Sequence, residues 1–149
     1  MTNLNDIVQN GSTNISYQTS WLGRFYLPTN AVYSDKGNTN ANLLTLYHYT
    51  CTTNQVKETN SIVDIGFHYV AVDASGQPLD NDSDGIPDYQ EDSNGNGSFD
   101  AGESNWTVAD TDGDGVSDYI ERLLGRTLAY GTTNDVSGTL NLRVFTPLR

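Results

Sequence analysis

The sequence predicts a mainly β protein, in which a small β-domain is followed by an irregular acidic repeat array with short helical turns and by a C-terminal strand. Apolar and polar residues alternate in residues 43–50, 61–72 and 138–147, which is the pattern of strands with one buried face. Residues 80–121 instead hold thirteen carboxylates and no Lys or Arg. We therefore predict three parts: a β-rich domain (1–73), the array (74–128) and a terminal strand or tail (129–149).

Short elements are expected within these parts. Residues 21–28 form an aromatic run that ends in a proline, which predicts a short strand or a compact turn. The polar stretch at 33–38 predicts a turn, and the stretch at 75–78 marks the boundary before the array. Residues 118–125 predict a short helix stopped by a glycine, and residues 88–91 predict an equivalent single turn.

Residues 80–121 contain three copies of one twelve-residue pattern. In each copy, oxygen-bearing side chains stand at positions 1, 3, 5, 9 and 12, glycine stands at position 6, and position 7 offers its backbone carbonyl. This spacing surrounds a hard divalent cation with oxygen atoms, and the glycine allows the sharp turn. Three copies in register predict about three calcium ions. The predicted ligands are Asp80, Asp82, Asp84, Ile86, Asp88 and Glu91 in the first loop, Asp92, Asn94, Asn96, Ser98, Asp100 and Glu103 in the second, and Asp110, Asp112, Asp114, Val116, Asp118 and Glu121 in the third.

A disordered acidic tract is the main alternative, because acidic, glycine-rich composition is also typical of disorder. The fixed place of glycine after the third ligand favours calcium loops instead. Without cations, repulsion among the carboxylates would oppose compaction, so we expect the array to fold with its metal. Three calcium ions would halve the formal net charge of −12. The second loop has three carboxylates against five in each of the others, so we expect it to bind most weakly.

The loops lie too close together for paired EF-hands, in which helices of roughly ten residues flank each loop. Glu91 ends the first loop and Asp92 begins the second. Residues 110–118 match the core D-x-D-x-D-G-V-x-D, and residues 80–88 match it with isoleucine for valine. The array thus resembles thrombospondin type 3 repeats and related bacterial calcium-repeat modules, without the cysteines of the vertebrate repeats. The resemblance implies a segment with little core that wraps around its ions.

A second resemblance concerns residues 63–69, with the sequence VDIGFHY. They resemble the closing D-I-G-x-x-x-Y coil of right-handed parallel β-helix proteins of bacterial cell surfaces, with the tyrosine one residue earlier than in that pattern. Those proteins often continue into calcium repeats. This resemblance implies that residues 1–73 are either the last coils of a larger β-helix or a small β-domain derived from one.

Charge and composition exclude several classes of partner. The net charge of −12 argues against nucleic acid and against anionic membrane surfaces. No apolar run approaches the ~20 residues needed to span a bilayer. The first residues lack the basic start and apolar core of a signal peptide. We therefore expect either another export route or a chain that is part of a longer protein.

Few residues suggest chemistry of another kind, and we predict no catalytic residues and no enzyme. The single cysteine, Cys51, is expected to be a half-buried structural thiol. His48 and His68 are expected to be ordinary strand histidines, with a joint transition-metal site as the alternative. Trp21 and Trp106 are expected to pack internally, with sugar stacking as the alternative.

The predicted function is that of an extracellular or cell-surface structural or assembly module, stabilised by calcium. Loops without paired helices are expected to bind in the ~10⁻⁴–10⁻³ M range of extracellular modules, where the ion serves structure. The expected partners are copies of the same chain, with a self-assembling fibre as one form, or other surface proteins. The alternative is a carbohydrate-binding or spacer module attached to a polysaccharide-active β-helix enzyme. A calcium sensor is disfavoured.

Overall fold

The computed structural model describes residues 15–128. The predicted C-terminal strand at 138–147 lies outside the described residues. Helices and strands are few and short: β1 (Gln18–Ser20), β2 (Gly23–Tyr26), a 3-10 helix (Ala41–Leu44), β3 (Tyr49–Thr50), β4 (Tyr69–Val70), α1 (Asp88–Glu91) and α2 (Asp118–Leu124). The predicted mainly β class is therefore confirmed only in part, because the described chain is not helical but contains little β structure.

The described strands form two antiparallel pairs. In the hairpin of β1 and β2, Gln18 lies opposite Tyr26. β3 pairs with β4, and Tyr49 lies opposite Val70. A parallel bridge between Leu27 and Thr52 connects the end of the hairpin to the segment that follows β3. The two pairs are thus joined into one small β unit at the N-terminal end of the described chain.

The prediction of a continuous strand over residues 43–50 is wrong for the first residues of that range. A 3-10 helix occupies Ala41–Leu44, and Thr45 follows it in the left-handed region with φ 63°. Leu43 is 70% exposed, so the alternating pattern does not mark a buried face here. Backbone pairing with β4 decides where the strand forms, and it is limited to Tyr49–Thr50.

The pattern in residues 61–72 also predicts more strand than the structure contains. Here the strand is limited to Tyr69–Val70. The N–H groups of Val63 and Ile65 donate to the carbonyl oxygens of Thr39 and Tyr33, which belong to loops. The backbone N–H groups of this extended segment therefore find their hydrogen-bond partners in loops, and they form no regular sheet.

The core of the β unit is small. Leu27, Tyr33 and Cys51 are buried together, and the partly buried side chains of Ile15, Ala31 and Ile65 pack against them. Tyr26 is fully buried and stacks on Tyr69, with ring centroids 4.2 Å apart. So little buried apolar surface indicates that the array needs another source of stability.

Both predicted helical turns of the array are confirmed. α1 begins at Asp88 and α2 begins at Asp118, and each of these residues holds position 9 of its loop. α2 ends at Gly125, whose φ of 68° is left-handed and whose N–H donates to the last turn of the helix. α2 has seven residues, and no described helix is long and apolar enough to cross a bilayer.

The boundary before the array is a tight turn that packs on the hairpin. Asp73 accepts hydrogen bonds at Oδ1 from the N–H groups of Ser75 and Gln77. Trp21 covers the turn at Gly76, where an added Cβ would lie 2.6 Å from the indole ring. Trp21 nevertheless stays 55% exposed, so it packs on one face only.

Candidate metal centres

The first loop gathers carboxylates around one point. Asp80, Asp82 and Asp84 each place one carboxylate oxygen within 4.8 Å of the others. Asp82 Oδ1 accepts from the N–H of Asp84 at 3.1 Å, and Asp84 Oδ1 accepts from the N–H of Ile86 at 2.7 Å. Asp80 uses both of its oxygens, which accept from the N–H groups of Ser83 and Gly85. The other oxygen of Asp82 is buried without a hydrogen-bond partner among the described residues. Hydrogen bonds from the backbone therefore shape the loop, and the buried second oxygen of Asp82 is left for a cation.

The third loop repeats this arrangement. Asp110, Asp112 and Asp114 also place carboxylate oxygens within 4.8 Å of one another. Asp110 accepts from the N–H groups of Gly113 and Gly115, at 2.9 and 2.8 Å. In the part of the chain that the structure describes, Oδ2 of Asp112 and Oδ2 of Asp114 are buried without a hydrogen-bond partner. The sequence repeat is thus also a repeat in geometry.

A further cluster joins the first loop to the third. Asp84, Glu91 and Asp118 place carboxylate oxygens within 4.8 Å of one another. Asp118 also keeps its own loop closed, since it accepts from Thr111 N at 2.9 Å and from Thr111 Oγ1 at 2.6 Å. The repeat pattern assigns Asp118 to the third loop, and the structure brings it to the first loop as well. We call these three residues the shared cluster.

Glu91 is the most constrained member of the shared cluster. Its residue is 2% exposed, and within residues 15–128 neither carboxylate oxygen has a hydrogen-bond partner. Burial raises the pKa of Glu91 to about 8, and the negative charge of Asp82 adds to the effect. The nearby Ser104 hydroxyl lowers this pKa by less and does not meet hydrogen-bond geometry. A buried carboxylate without donors is costly unless a cation neutralises it.

Neighbouring carboxyl groups also have raised pKa values. Burial is the largest cause of the raised pKa values of Asp82 and Asp84, and repulsion from other carboxylates adds to it. In the third loop, the pKa of Asp112 is raised for the same reasons. The only atoms that these clusters offer are carboxylate oxygens, so they could hold a metal ion that prefers oxygen ligands.

The second loop is arranged differently. The side-chain amides of Asn94 and Asn96 donate from Nδ2 to Asp100 Oδ2, at 2.9 and 2.7 Å. These two bonds lower the pKa of the Asp100 carboxyl. The amide oxygens support the turn, since Asn94 Oδ1 accepts from Asn96 N and Asn96 Oδ1 accepts from Ser98 N. Amide N–H groups thus take the place that carboxylate oxygens take in the other two loops.

The remaining acids of the second loop also have protein donors. Glu103 accepts from the Ser93 hydroxyl at 2.9 Å, from Asn94 N at 3.0 Å and from Asp100 N at 3.2 Å. Asp92 Oδ2 accepts from Gly97 N at 2.7 Å and lies 2.9 Å from His48 Nε2. The second loop therefore closes through hydrogen bonds, although it carries the same ligand spacing.

The second loop also docks on the β unit. The N–H of Tyr47 donates to the carbonyl of Gly95 at 3.1 Å, and the Tyr47 ring covers Gly97. Trp106 packs edge-on against His48, with ring centroids 5.3 Å apart. Trp106 thus packs internally, as predicted.

The two histidines have separate partners. His48 is buried between the second loop and α1, because its Nδ1 also lies 3.8 Å from Asp88 Oδ2. Burial, followed by the charge of Lys57, lowers the pKa of His48. His68 Nε2 instead lies 3.1 Å from Glu58 Oε1. Each histidine is therefore paired with a different carboxylate, which is not the joint histidine site that the sequence left open.

Comparison with known proteins gave no match among protein-family models, curated proteins or solved structures. The function is therefore argued from the chemistry of the sites. The feature that the sequence missed is the shared cluster, because a repeat pattern gives ligands within one loop and no information about contacts between loops.

Proposed function

We propose that this chain is an extracellular, calcium-stabilised structural module of a bacterial surface protein. The observation that carries the proposal is Glu91, a buried carboxylate that faces Asp84 and Asp118 and has no hydrogen-bond donor among the described residues. Three carboxylates in this largely buried cluster repel each other, so the packing requires either a proton on Glu91 or a cation between them, and a cation satisfies all three. The ion then contributes directly to the folding free energy of the array.

Calcium is the cation that best suits these ligands. Oxygen-only sites select hard cations, and zinc prefers nitrogen and sulfur. Magnesium demands near-ideal octahedral geometry and keeps its waters, whereas calcium accepts six to eight oxygens in flexible loops of the spacing seen here. Two ion-dependent loops, the first and the third, follow from the clusters around Asp82 and Asp112. A third ion in the second loop requires Asn94 and Asn96 to turn their amide oxygens inward.

The ion serves structure in this proposal. The array has two helices of four and seven residues and makes no use of the long paired helices that open and close in sensors. Loops joined end to end around ions suit thrombospondin type 3-like repeats. Affinities of ~10⁻⁴–10⁻³ M place such a module outside the cell, where calcium is permanently high. The resulting stiff spacer suits a surface protein that contacts other copies of itself or other surface proteins.

The test is a calcium titration of chelator-treated protein, followed by circular dichroism and light scattering, with magnesium as the matched ion. We expect order to rise in the submillimolar to millimolar calcium range and to rise much less with magnesium. Particle size that grows together with order supports assembly into a polymer. Order without growth supports a monomeric spacer. Full order in the presence of chelator would refute the calcium-dependent array.

A carbohydrate-binding module is the second candidate, and a surface of exposed rings favours it. Tyr17, Phe25 and Phe67 are 42%, 54% and 55% exposed. Phe25 lies 5.7 Å from Tyr17 and 6.3 Å from Phe67 between ring centroids, which makes a continuous aromatic surface on the β unit. Such surfaces can stack on sugar rings. Glycan-array binding that is lost in Phe25→Ala, with unchanged calcium-induced order, would support this function, and an array without signal would remove it.

A further inference from the structure

A second kind of side-chain cluster lies in the β unit, away from the acidic array. Cys51, Glu58 and His68 each place one potential ligand atom within 4.8 Å of the others. Cys51 is 1% exposed and Glu58 is 5% exposed, and the His68 side chain is 14% exposed. A thiol, a carboxylate and an imidazole, three different metal-binding groups, therefore meet at one nearly buried point.

From this geometry we infer that Cys51, Glu58 and His68 form a binding site for a transition-metal ion of the zinc class. Zinc binds sulfur at about 2.3 Å and nitrogen or oxygen at about 2.0–2.2 Å, in tetrahedral sites. Ligand atoms around such an ion lie roughly 3–4 Å from one another. His68 Nε2 and Glu58 Oε1 are already 3.1 Å apart, so a small adjustment of side chains brings the three atoms onto one ion.

The surroundings of the cluster fix the orientation of its ligands. Glu58 Oε2 accepts from the backbone N–H of Asp64 at 3.2 Å, which holds the carboxylate while Oε1 faces His68. The Sγ of Cys51 is covered on another side by Gly66, where an added Cβ would lie 3.1 Å away. Partners of this kind orient metal ligands and raise affinity.

A cavity lies beside the cluster, next to Glu58. The cavity of about 330 Å³ is lined by Glu58, Ser61 and Asp64 among other polar residues. Glu58 belongs both to the cluster and to the cavity wall, so solvent approaches the cluster from the side of Glu58. Three protein ligands with an exchangeable fourth position also distinguish this site from a closed structural zinc site.

Binding of the ion balances charge and protons at the cluster. Burial, helped by Glu58 and Asp64, raises the pKa of the Cys51 thiol, so the thiol keeps its proton when no metal is bound. On binding, the sulfur–hydrogen bond breaks, the proton goes to solvent and the sulfur lone pair binds the cation. His68 binds as the neutral imidazole. The ion joins the segment after β3 to the segment before β4, independently of the calcium array.

The test uses Co²⁺ as a spectroscopic substitute for zinc, in protein whose array is saturated with calcium. Cys51 is the single cysteine of the chain, so a sulfur-to-cobalt charge-transfer band in the near ultraviolet reports this site alone. We expect one equivalent of Co²⁺ to produce that band and Zn²⁺ to remove it by displacement. Cobalt bound without the band would mean that only array carboxylates hold it and would overturn the inference. Absence of micromolar binding would do the same.

Variants separate the cluster from other metal sites. Cys51→Ser should lose the band, and His68→Gln should weaken Co²⁺ binding by about tenfold or more, the loss that even outer contacts can cause at metal sites. Asp112→Asn, in the third loop, should reduce calcium binding and leave the cobalt band unchanged. If Cys51→Ser does not fold, Glu58→Gln serves in its place, and unchanged cobalt affinity in both Glu58→Gln and His68→Gln would refute the site.

Discussion

The first and third loops differ from the second in how they satisfy their acids. In the first loop, Asp82 and Glu91 keep buried oxygens that have no donors within the described chain. In the second loop, Asp100 accepts two side-chain amide hydrogen bonds instead. The pKa shifts follow this difference, since burial raises the pKa of Glu91, whereas the amides of Asn94 and Asn96 lower that of Asp100. The same spacing of residues therefore leaves carboxylate oxygens without donors in one loop and closes through hydrogen bonds in another.

The loops also differ in what they contact. The second loop docks on the β unit through Gly95, Gly97 and the Tyr47 ring. The first and third loops contact each other, since the N–H of Tyr119 donates to Asp84 Oδ2 at 3.0 Å. The comparison teaches that the middle repeat packs on the β unit through its turn, whereas the outer repeats are joined to each other through the shared cluster.

Removal of calcium should have the largest effect, and it should act unevenly along the array. We expect amide hydrogen exchange in residues 80–91 and 110–121 to accelerate strongly in chelator, while the amide of Tyr47, which donates to Gly95, keeps its protection. A ligand at ten times its Kd contributes about 1.4 kcal/mol per site, so two sites contribute about 3 kcal/mol, a large share of the stability of a small domain. Equal loss of protection in all three loops would contradict the proposed division.

Replacement of the acid at position 12 should have opposite effects in the first and second loops. In calcium, Glu91→Gln should weaken binding by about tenfold or more. In chelator at neutral pH, the same change should raise the melting temperature, because glutamine is buried without the cost of protonating a carboxylate that is ionised in the unfolded chain. The matched variant Glu103→Gln should lower the melting temperature in chelator, because Glu103 has three donors. The expected loss in the free energy of unfolding is about 1–3 kcal/mol. Thermal unfolding of both variants, with and without calcium, shows whether each change raises or lowers the melting temperature.

A pair of glycine variants tests the anchoring of the second loop. Gly97 and Gly113 both have left-handed φ, 78° and 74°, so alanine strains the backbone at either position. This strain costs about 1–2 kcal/mol. At Gly97 an added Cβ would also lie 2.1 Å from the Tyr47 ring, whereas at Gly113 it meets no described atom within 4 Å. We therefore expect Gly97→Ala to cost about 1–3 kcal/mol more than Gly113→Ala in thermal unfolding. Equal costs would mean that the contact with Tyr47 is not part of the anchor.

A separate effect should appear as a pH dependence of the calcium-free protein. Glu91 has a folded-state pKa of about 8, raised from its ordinary value of 4.5. Its protonated form is favoured in the fold, so its contribution to stability is full below about pH 4.5 and is lost as pH rises through about 8. We expect the melting temperature in chelator to fall over this range, and Glu91→Gln to flatten the curve. Calcium should reverse the trend, because calcium binding displaces the proton.

The array could be predicted from the sequence further than the β unit could. Local chemistry specifies the loops, because the spacing of acids around Gly85 and Gly115 determines both the turn and the ligands. The start of α2 at Asp118 and its end at Gly125 also follow from local preferences. By contrast, the extent of β3 and β4 depends on the pairing of Tyr49 with Val70, and an alternating pattern does not contain that pairing.

Contacts between distant residues could not be predicted from spacing. Position 9 of the third loop, Asp118, meets Asp84 and Glu91 only because α2 packs against the first loop. The meeting of Cys51, Glu58 and His68 is equally long-range and follows no metal-ligand motif. The presence of Asn94 and Asn96 could have indicated the hydrogen-bonded second loop, since each amide offers one oxygen where aspartate offers two.

The contact between α2 and the first loop has a mechanical consequence. Asp84 and Tyr119 are 35 residues apart along the chain, yet a hydrogen bond joins them beside the shared cluster. A pulling force along the chain must break this contact before the enclosed segment can extend, and 35 residues fully stretched span roughly 120 Å. The ion concentration would then set the force at which this hidden length is released. A surface protein containing the module would stay short at low load in calcium and lengthen under high load before any covalent bond is strained.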